Sequence, residues 1–178
     1  MTARHLSTIV LVFASLATVT SAQVQKKELP GVVNYSRVDA TVGCGGATSP
    51  AAMAGLKKEG YAAVINLRLE SEPGADIATS RAAAEAAGLR YIHLPFNAAA
   101  PDSKVVDAFL AAVADPRNQP VFIHCGSANR VGAVWMIKRV LRDHWMLDQA
   151  RTEADAIGLR DPKLATFATD YINTHQVR

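Results

Sequence analysis

From residue 38 onward, short strand-like runs alternate with amphipathic stretches of about 10 to 15 residues, and this alternation limits the fold more than any other feature of the chain. Val38, Ala40 and Val42 alternate with Asp39 and Thr41, as in a half-exposed strand that stops at Gly43-Cys44-Gly45-Gly46. Ala62 to Leu67, Arg90 to Leu94 and Pro120 to Ile123 are short runs suited to buried parallel strands. Helix signals lie between them. Ser49 as N-cap, Pro50 at the first helical position and Gly60 just past the end bracket one helix. Ile77 to Ala87, closed by Gly88, forms a second, and Val105, Phe109 and Val113 stripe a third that ends near Asp115-Pro116. Further helices are expected at Arg130 to His144, at Leu147 to Ile157 and, after an Asp161 cap and Pro162, at Lys163 to Thr174. Such alternation implies right-handed crossovers between parallel strands. The expected fold is α/β, with a mainly parallel sheet covered by helices on both faces.

The first residues are of a different kind. Arg4 and His5 precede the mostly apolar run Thr8 to Val19, and Thr20-Ser21-Ala22 supplies small residues at a cleavage point before Gln23, the three-part layout of a secretory signal. The apolar run is shorter than the ~20 residues of a spanning helix, so cleavage is favoured over anchoring. The expected organisation is a signal peptide at 1–22, a polar lead at 23–36 and one domain at 37–178, in a secreted or periplasmic protein with no membrane span after cleavage. A hydrophobic content of 49% excludes intrinsic disorder, and 178 residues suit a single domain.

Charge narrows the partners. The formal net charge of +3 falls by one when Arg4 leaves with the signal, and Lys26-Lys27, Lys57-Lys58 and the Lys138-Arg139-Arg142 set are short and separated. These are solvated faces rather than a nucleic-acid footprint. Two cysteines, Cys44 and Cys125, are too few for a disulfide framework, and neither belongs to a CxxC pair. The histidines of the mature chain, His93, His124, His144 and His175, are scattered, without zinc-like spacing. No metal and no other cofactor is expected.

Sheets of this class bind ligands beyond the carboxyl ends of their strands, which directs attention to the segment Val121 to Gly132. Cys125 falls where the fourth strand stops and a helix begins. The backbone N–H groups of Gly126, Ser127, Ala128 and Asn129, with the positive helix N-terminus, suit an oxyanion, and Arg130 adds a planar fork. An isolated cysteine is usually an inert buried residue. A Cys-x4-Arg turn built of Gly, Ser, Ala and Asn between a buried strand and a helix is specific enough to mark a functional loop. His124 either orients the loop backbone or is the last inward residue of the strand. Cys44 is either a small residue in a glycine turn or a redox partner of Cys125, and the second requires Cα atoms within ~7 Å.

The segment from His124-Cys125 to Arg130-Val131-Gly132 resembles the signature of cysteine-dependent phosphatases, and Asn118 to Cys125 resembles the corresponding strand of atypical dual-specificity phosphatases. Ile65-Asn66-Leu67-Arg68, followed by Glu70 and Glu72-Pro73-Gly74, is similar to their second strand and its acidic loop. Gly45-Gly46, and Trp145 with Ala150 to Ala154, suit the bacterial β-lactamase-hydrolase-like phosphatase domain. The resemblance spans residues 35 to 175, with one specific motif. It implies a metal-free hydrolase in which Cys125 forms a phosphocysteine, Arg130 binds the equatorial oxygens and the loop amides donate further hydrogen bonds. The implied partner is a phosphorylated small molecule or protein. The leaving group needs an acid on the loop Phe96 to Asp102, where Asp102 is the sole acid and is equally placed as a helix N-cap. Asn97 stands nearer the usual position of the family's aspartate, and Glu70, Glu72 and Asp76 are alternatives.

Two departures from the family pattern keep other readings open. Cysteine phosphatases carry five residues between Cys and Arg where this chain has four, and they follow the arginine with Ser or Thr where this chain has Val131. Ser127 or Asn129 would have to replace that hydroxyl. A six-residue loop is similar to that of rhodanese-type sulfurtransferases, which would use a Cys125 persulfide, and a shortened loop also suits a catalytically weak module that binds anions or phosphoproteins.

Overall fold

The computed structural model describes residues 24–176, so the expected signal peptide, Met1 to Ala22, lies outside the described residues. A six-stranded sheet runs in the order β1 (Gln25–Lys26), β2 (Ser36–Arg37), β3 (Val42–Gly45), β6 (Val121–His124), β4 (Ala63–Asn66), β5 (Arg90–His93). The β3–β6, β6–β4 and β4–β5 pairs are parallel, while β1–β2 and β2–β3 are antiparallel. The helices are α1 (Met53–Lys58), α2 (Ile77–Ala86), α3 (Ser103–Ala114), α4 (Asn129–Leu141), α5 (Leu147–Ile157) and α6 (Pro162–His175).

Strand periodicity of two divides the core. Val42, Cys44, Ala63, Ile65, Val121 and Ile123 point to one face, where they pack with α3, α4, α5 and α6. Val64, Phe122 and Tyr91 point to the other, against Met53 and Leu56 of α1 and Ala84 of α2. Both faces are covered, which is why β4 and β6 read as continuous apolar runs. Strand β6 lies between β3 and β4, so its carboxyl end opens at the centre of the sheet where chain order reverses. Among the described residues no helix is long and apolar enough to cross a membrane.

The sequence reading misplaces the first parallel strand. The alternation at Val38 to Val42 is a turn: the Asp39 carboxylate accepts from the Thr41 N–H and hydroxyl and from the Val42 N–H, bending the chain before the strand starts. The strand is instead the glycine-rich Val42–Gly45, fully buried between β2 and β6. Close approach requires the glycines: a Cβ on Gly43 would strike the Tyr61 ring, and one on Gly45 the Phe122 ring. The polar lead is structured in part, with β1 and β2 capping one sheet edge. Ser49 makes no side-chain cap, and Pro50–Ala52 forms a 3-10 turn before α1. Asp76, Asp102 and Asp161 do cap α2, α3 and α6 through backbone N–H groups.

Candidate functional site

Strand β6 ends at His124, and Cys125 continues the ladder by donating its N–H to the Gly45 carbonyl at 3.3 Å. The chain then turns through Gly126, Ser127 and Ala128 into α4, with Ala128 in the left-handed region at φ 74°. Outside contacts orient the turn's peptides. The Gly126 carbonyl accepts from the Ala47 N–H at 2.9 Å, and the Ser127 carbonyl from Asn34 Nδ2 at 3.4 Å. A trans peptide directs its C=O and N–H oppositely, so the N–H groups of Ser127 and Ala128 face away from this framework. Among the described residues, no carbonyl or side chain accepts from the N–H of Gly126, Ser127 or Ala128. Gly46 makes the arrangement sterically feasible: a Cβ there would lie 3.1 Å from the Gly126 oxygen and 3.3 Å from the Ser127 Cα.

Arg130 is braced from three sides. Its Nη1 donates to Glu72 Oε1 at 2.5 Å and to the carbonyls of Leu67 and Phe96, both at 3.1 Å, while Nη2 donates to Glu72 Oε2 at 2.8 Å. Those two carbonyls lie just beyond β4 and β5, so the guanidinium is tied to the carboxyl ends of two neighbouring strands. A guanidinium has five N–H donors. The Nη1 pair and one Nη2 hydrogen are committed, which leaves Nε–H and the second Nη2–H without a partner among the described residues; they share one edge and form a two-pronged donor. Burial by itself favours the neutral guanidine, but pairing with Glu72 and the adjacent Cys125 hold Arg130 above its usual range.

Glu72 is itself anchored. Oε1 accepts the Leu69 N–H at 2.8 Å, Oε2 accepts Arg68 Nε at 3.2 Å, and Arg68 closes the loop onto the carbonyls of Pro73 and Gly74. Its burial opposes ionisation, yet the donors from Arg130 and Leu69 hold its carboxyl down at about 2. Glu72 is therefore a fixed anion rather than a proton donor. The sequence signal for this pairing is Arg68 and Glu72 four residues apart on the loop after β4, which was legible as an acidic turn but not as the arginine's brace.

The structure brings only part of the predicted set together. An open cavity of about 390 Å³ is lined by Ser127, Asn129 and Arg130 together with Glu72, Asn97 and Asp161. Cys125 is 0% exposed beneath the loop, and Val131 is 0% exposed in the core, so no hydroxyl follows the arginine into the site. Ser127 is exposed at the cavity wall. Asn129 Oδ1 is occupied by the N–H groups of Arg160 and Asp161, at 2.6 and 2.9 Å. Asp102 does not reach the cavity: it is exposed, and its carboxylate caps α3 through the Lys104 N–H at 2.9 Å. His124 is buried on Phe122, with neither ring nitrogen hydrogen-bonded among the described residues. Burial and the charge of Arg68 press its pKa down to about 3, so the ring is neutral. Both cysteines are free thiols. Cys44 pairs in register with Ile123, two residues before Cys125, and strand spacings of about 3.3 and 4.8 Å separate the two Cα atoms by about 8 Å, beyond disulfide reach. The redox-partner reading of Cys44 fails on this register.

A cysteine at the end of a central parallel strand, an amide-lined turn and an arginine at the start of the next helix define the cysteine-phosphatase class of α/β folds. Residues 37–142 match the family model of the β-lactamase hydrolase-like protein, phosphatase-like domain, and the chain belongs to that family. Its fold is similar to that of a DUF442 protein of Shewanella putrefaciens CN-32, at TM-score 0.70 and 21% identity over 84% of this chain and 95% of that one. TpbA of P. aeruginosa matches at TM-score 0.66 and 23% identity, over 89% and 94% of the two chains. The core catalytic domain of the PP-IP phosphatase SIW14 of S. cerevisiae matches at 0.67 and 18%, over 83% and 91%. No curated protein matches the sequence.

Proposed function

We propose that the protein hydrolyses phosphate monoesters through a phosphocysteine on Cys125. The observation that carries this reading is the donor set that follows that residue: the N–H groups of Gly126, Ser127 and Ala128 and the Nε/Nη2 edge of Arg130, all unpartnered among the described residues. Donors of this kind stabilise the equatorial phosphoryl oxygens as they gain charge during transfer. Attack by the sulfur forms an S–P bond as the bond from phosphorus to the leaving oxygen breaks, and that oxygen takes a proton. Water then attacks phosphorus, the S–P bond breaks, and inorganic phosphate leaves. Glu72 supports both steps by fixing the guanidinium without competing for its free edge.

Charge at the cavity bears on the substrate. Arg130 is the only cation lining it among the described residues, against the carboxylates of Glu72 and Asp161, so a single phosphoryl group suits the site better than a polyanion. A TpbA structure in complex with pTyr supports an aryl monoester as the probe. The signal-like segment Met1 to Ala22 supports action by an exported enzyme. Full burial of Cys125 and the four-residue spacing favour a second reading, an oxyanion-binding module with little turnover.

The reduced protein, Cys125→Ser and Arg130→Lys are assayed with an aryl phosphate and, separately, with thiosulfate plus cyanide. Phosphate release by the wild type, abolished by Cys125→Ser and lowered on the order of 10²-fold by Arg130→Lys, is the expected result. Thiocyanate formation would instead identify a sulfurtransferase. Phosphate binding without turnover in either assay would leave the binding module.

A further inference from the structure

The phosphoryl-transfer reading lacks a proton donor among the residues the family pattern would nominate. Asn97 stands in the cavity wall as an amide, and its Oδ1 is engaged by the Ala99 N–H at 3.0 Å. Asp102 is exposed outside the cavity. Glu72 lines the cavity but is locked between Arg130, Arg68 and the Leu69 N–H. One other carboxyl lines the same space, that of Asp161, on the turn between α5 and α6.

Asp161 is held there by the catalytic loop's own helix. Asn129, the first residue of α4 and next in sequence to Arg130, accepts the N–H groups of both Arg160 and Asp161 on one side-chain oxygen. The turn carrying Asp161 is thereby fixed to the helix start that carries Arg130. The Arg160 guanidinium folds back onto the carbonyls of Asp155 and Leu159, and Asp161 takes part in no ion pair among the described residues. Its Oδ1 caps α6 through the Lys163 N–H at 2.8 Å, which leaves Oδ2 without a partner among the described residues. A half-buried carboxyl with one oxygen free among the described residues, lining the same cavity as the phosphoryl-binding arginine, is placed to exchange a proton with a group leaving phosphorus there.

We propose that Asp161 is the general acid of this site, a role resting on the phosphocysteine reading above. In the first step its carboxylic acid gives a proton to the leaving oxygen as the P–O bond breaks and the S–P bond forms. In the second its carboxylate takes a proton from the attacking water as the S–P bond breaks, which restores the acid. The asparagine–backbone clamp makes Asn129 a positioning residue for this carboxyl.

The test compares two substrates of different need for protonation, p-nitrophenyl phosphate, whose leaving group is weakly basic, and phenyl phosphate, whose leaving group is more basic. Asp161→Asn keeps an N-cap oxygen, so α6 is retained, and its thermal midpoint reports any loss of folding. The expected result is a loss in kcat on the order of 10²-fold with phenyl phosphate and under about 10-fold with p-nitrophenyl phosphate. Equal losses with the two esters, no loss with either, or a leaving-group-selective loss in Asp102→Asn instead would overturn the assignment. Cys125→Ser separates the two levels: if it retains phosphate release, the phosphocysteine reading fails, whatever Asp161→Asn does. A wild type inert towards both esters overturns both.

Discussion

Ala128 occupies a conformation that usually selects glycine, and the magnitudes decide what that costs. The left-handed region costs a non-glycine residue about 1–2 kcal/mol. Replacement by glycine relieves this but loses about 0.8 kcal/mol of buried methyl and about 0.4–1 kcal/mol through the greater freedom of the unfolded chain. Because Ala128 is fully buried, these effects nearly cancel. Ala128→Gly should therefore lie within about 0.5 kcal/mol of wild type, whereas Ala133→Gly, at an equally buried but right-handed helical position of α4, should lose about 2 kcal/mol from lost methyl burial and helix propensity. Urea midpoints of the two variants check the contrast, and equal losses would show that the turn is not strained. At this scale the loop was readable while its chemistry was not. Cys125 and Arg130 stand out by spacing alone, but whether Asp102 is an acid or a cap depends on where its carboxylate ends up, and Lys104 N–H takes it.

At the scale of elements, α4 packs very closely on the end of α5 and the turn that follows it. Gly132 is the contact: a Cβ there would lie 2.8 Å from the Ala154 oxygen, 2.9 Å from the Leu159 Cβ and 3.0 Å from the Leu159 nitrogen. Backbone cannot yield as a flexible side chain can. Gly132→Ala gains about 1 kcal/mol of helix propensity but must separate α4 from the 154–159 segment, at a typical overpacking cost of about 1–3 kcal/mol. A net loss of stability is expected, read as a lower urea midpoint at unchanged m-value, and with it a loosening of the Asn129 clamp on Asp161. Helices α5 and α6 were legible to within a residue or so because their caps and apolar stripes are local signals. Strand β3 was not, since its burial depends on neighbours on both sides and its glycines carry no hydrophobic pattern.

For the molecule as a whole, one buried and one half-buried group of the site region set how stability responds to acid. His124 titrates near 3 when folded against 6.5 ordinarily, so between those values the unfolded chain binds a proton that the folded chain refuses, and stability falls as pH falls. Glu72, held at about 2 against 4.5, contributes stability that is present above 4.5 and lost as pH drops towards 2. Unfolding measured from pH 7 down to 4 should show a steady decline in wild type, with a slope of up to about 1.4 kcal/mol per pH unit from His124, and a flatter profile in His124→Asn. Parallel profiles would mean that folding leaves the ring's proton affinity unchanged. By itself the sequence determined the α/β class, the helices and the location of the Cys125-to-Arg130 loop, because strand alternation, helix periodicity and a spaced motif are local in the chain. Tertiary structure alone decided the rest: the pairing of Glu72 with Arg130, the hold of Asn34 and Ala47 on the loop's carbonyls, the separation of Cys44 from Cys125, and the arrival of Asp161 rather than Asp102 at the cavity. Each of these joins segments tens of residues apart or turns on strand register, and no local preference in the chain encodes which distant carboxylate a folded arginine will meet.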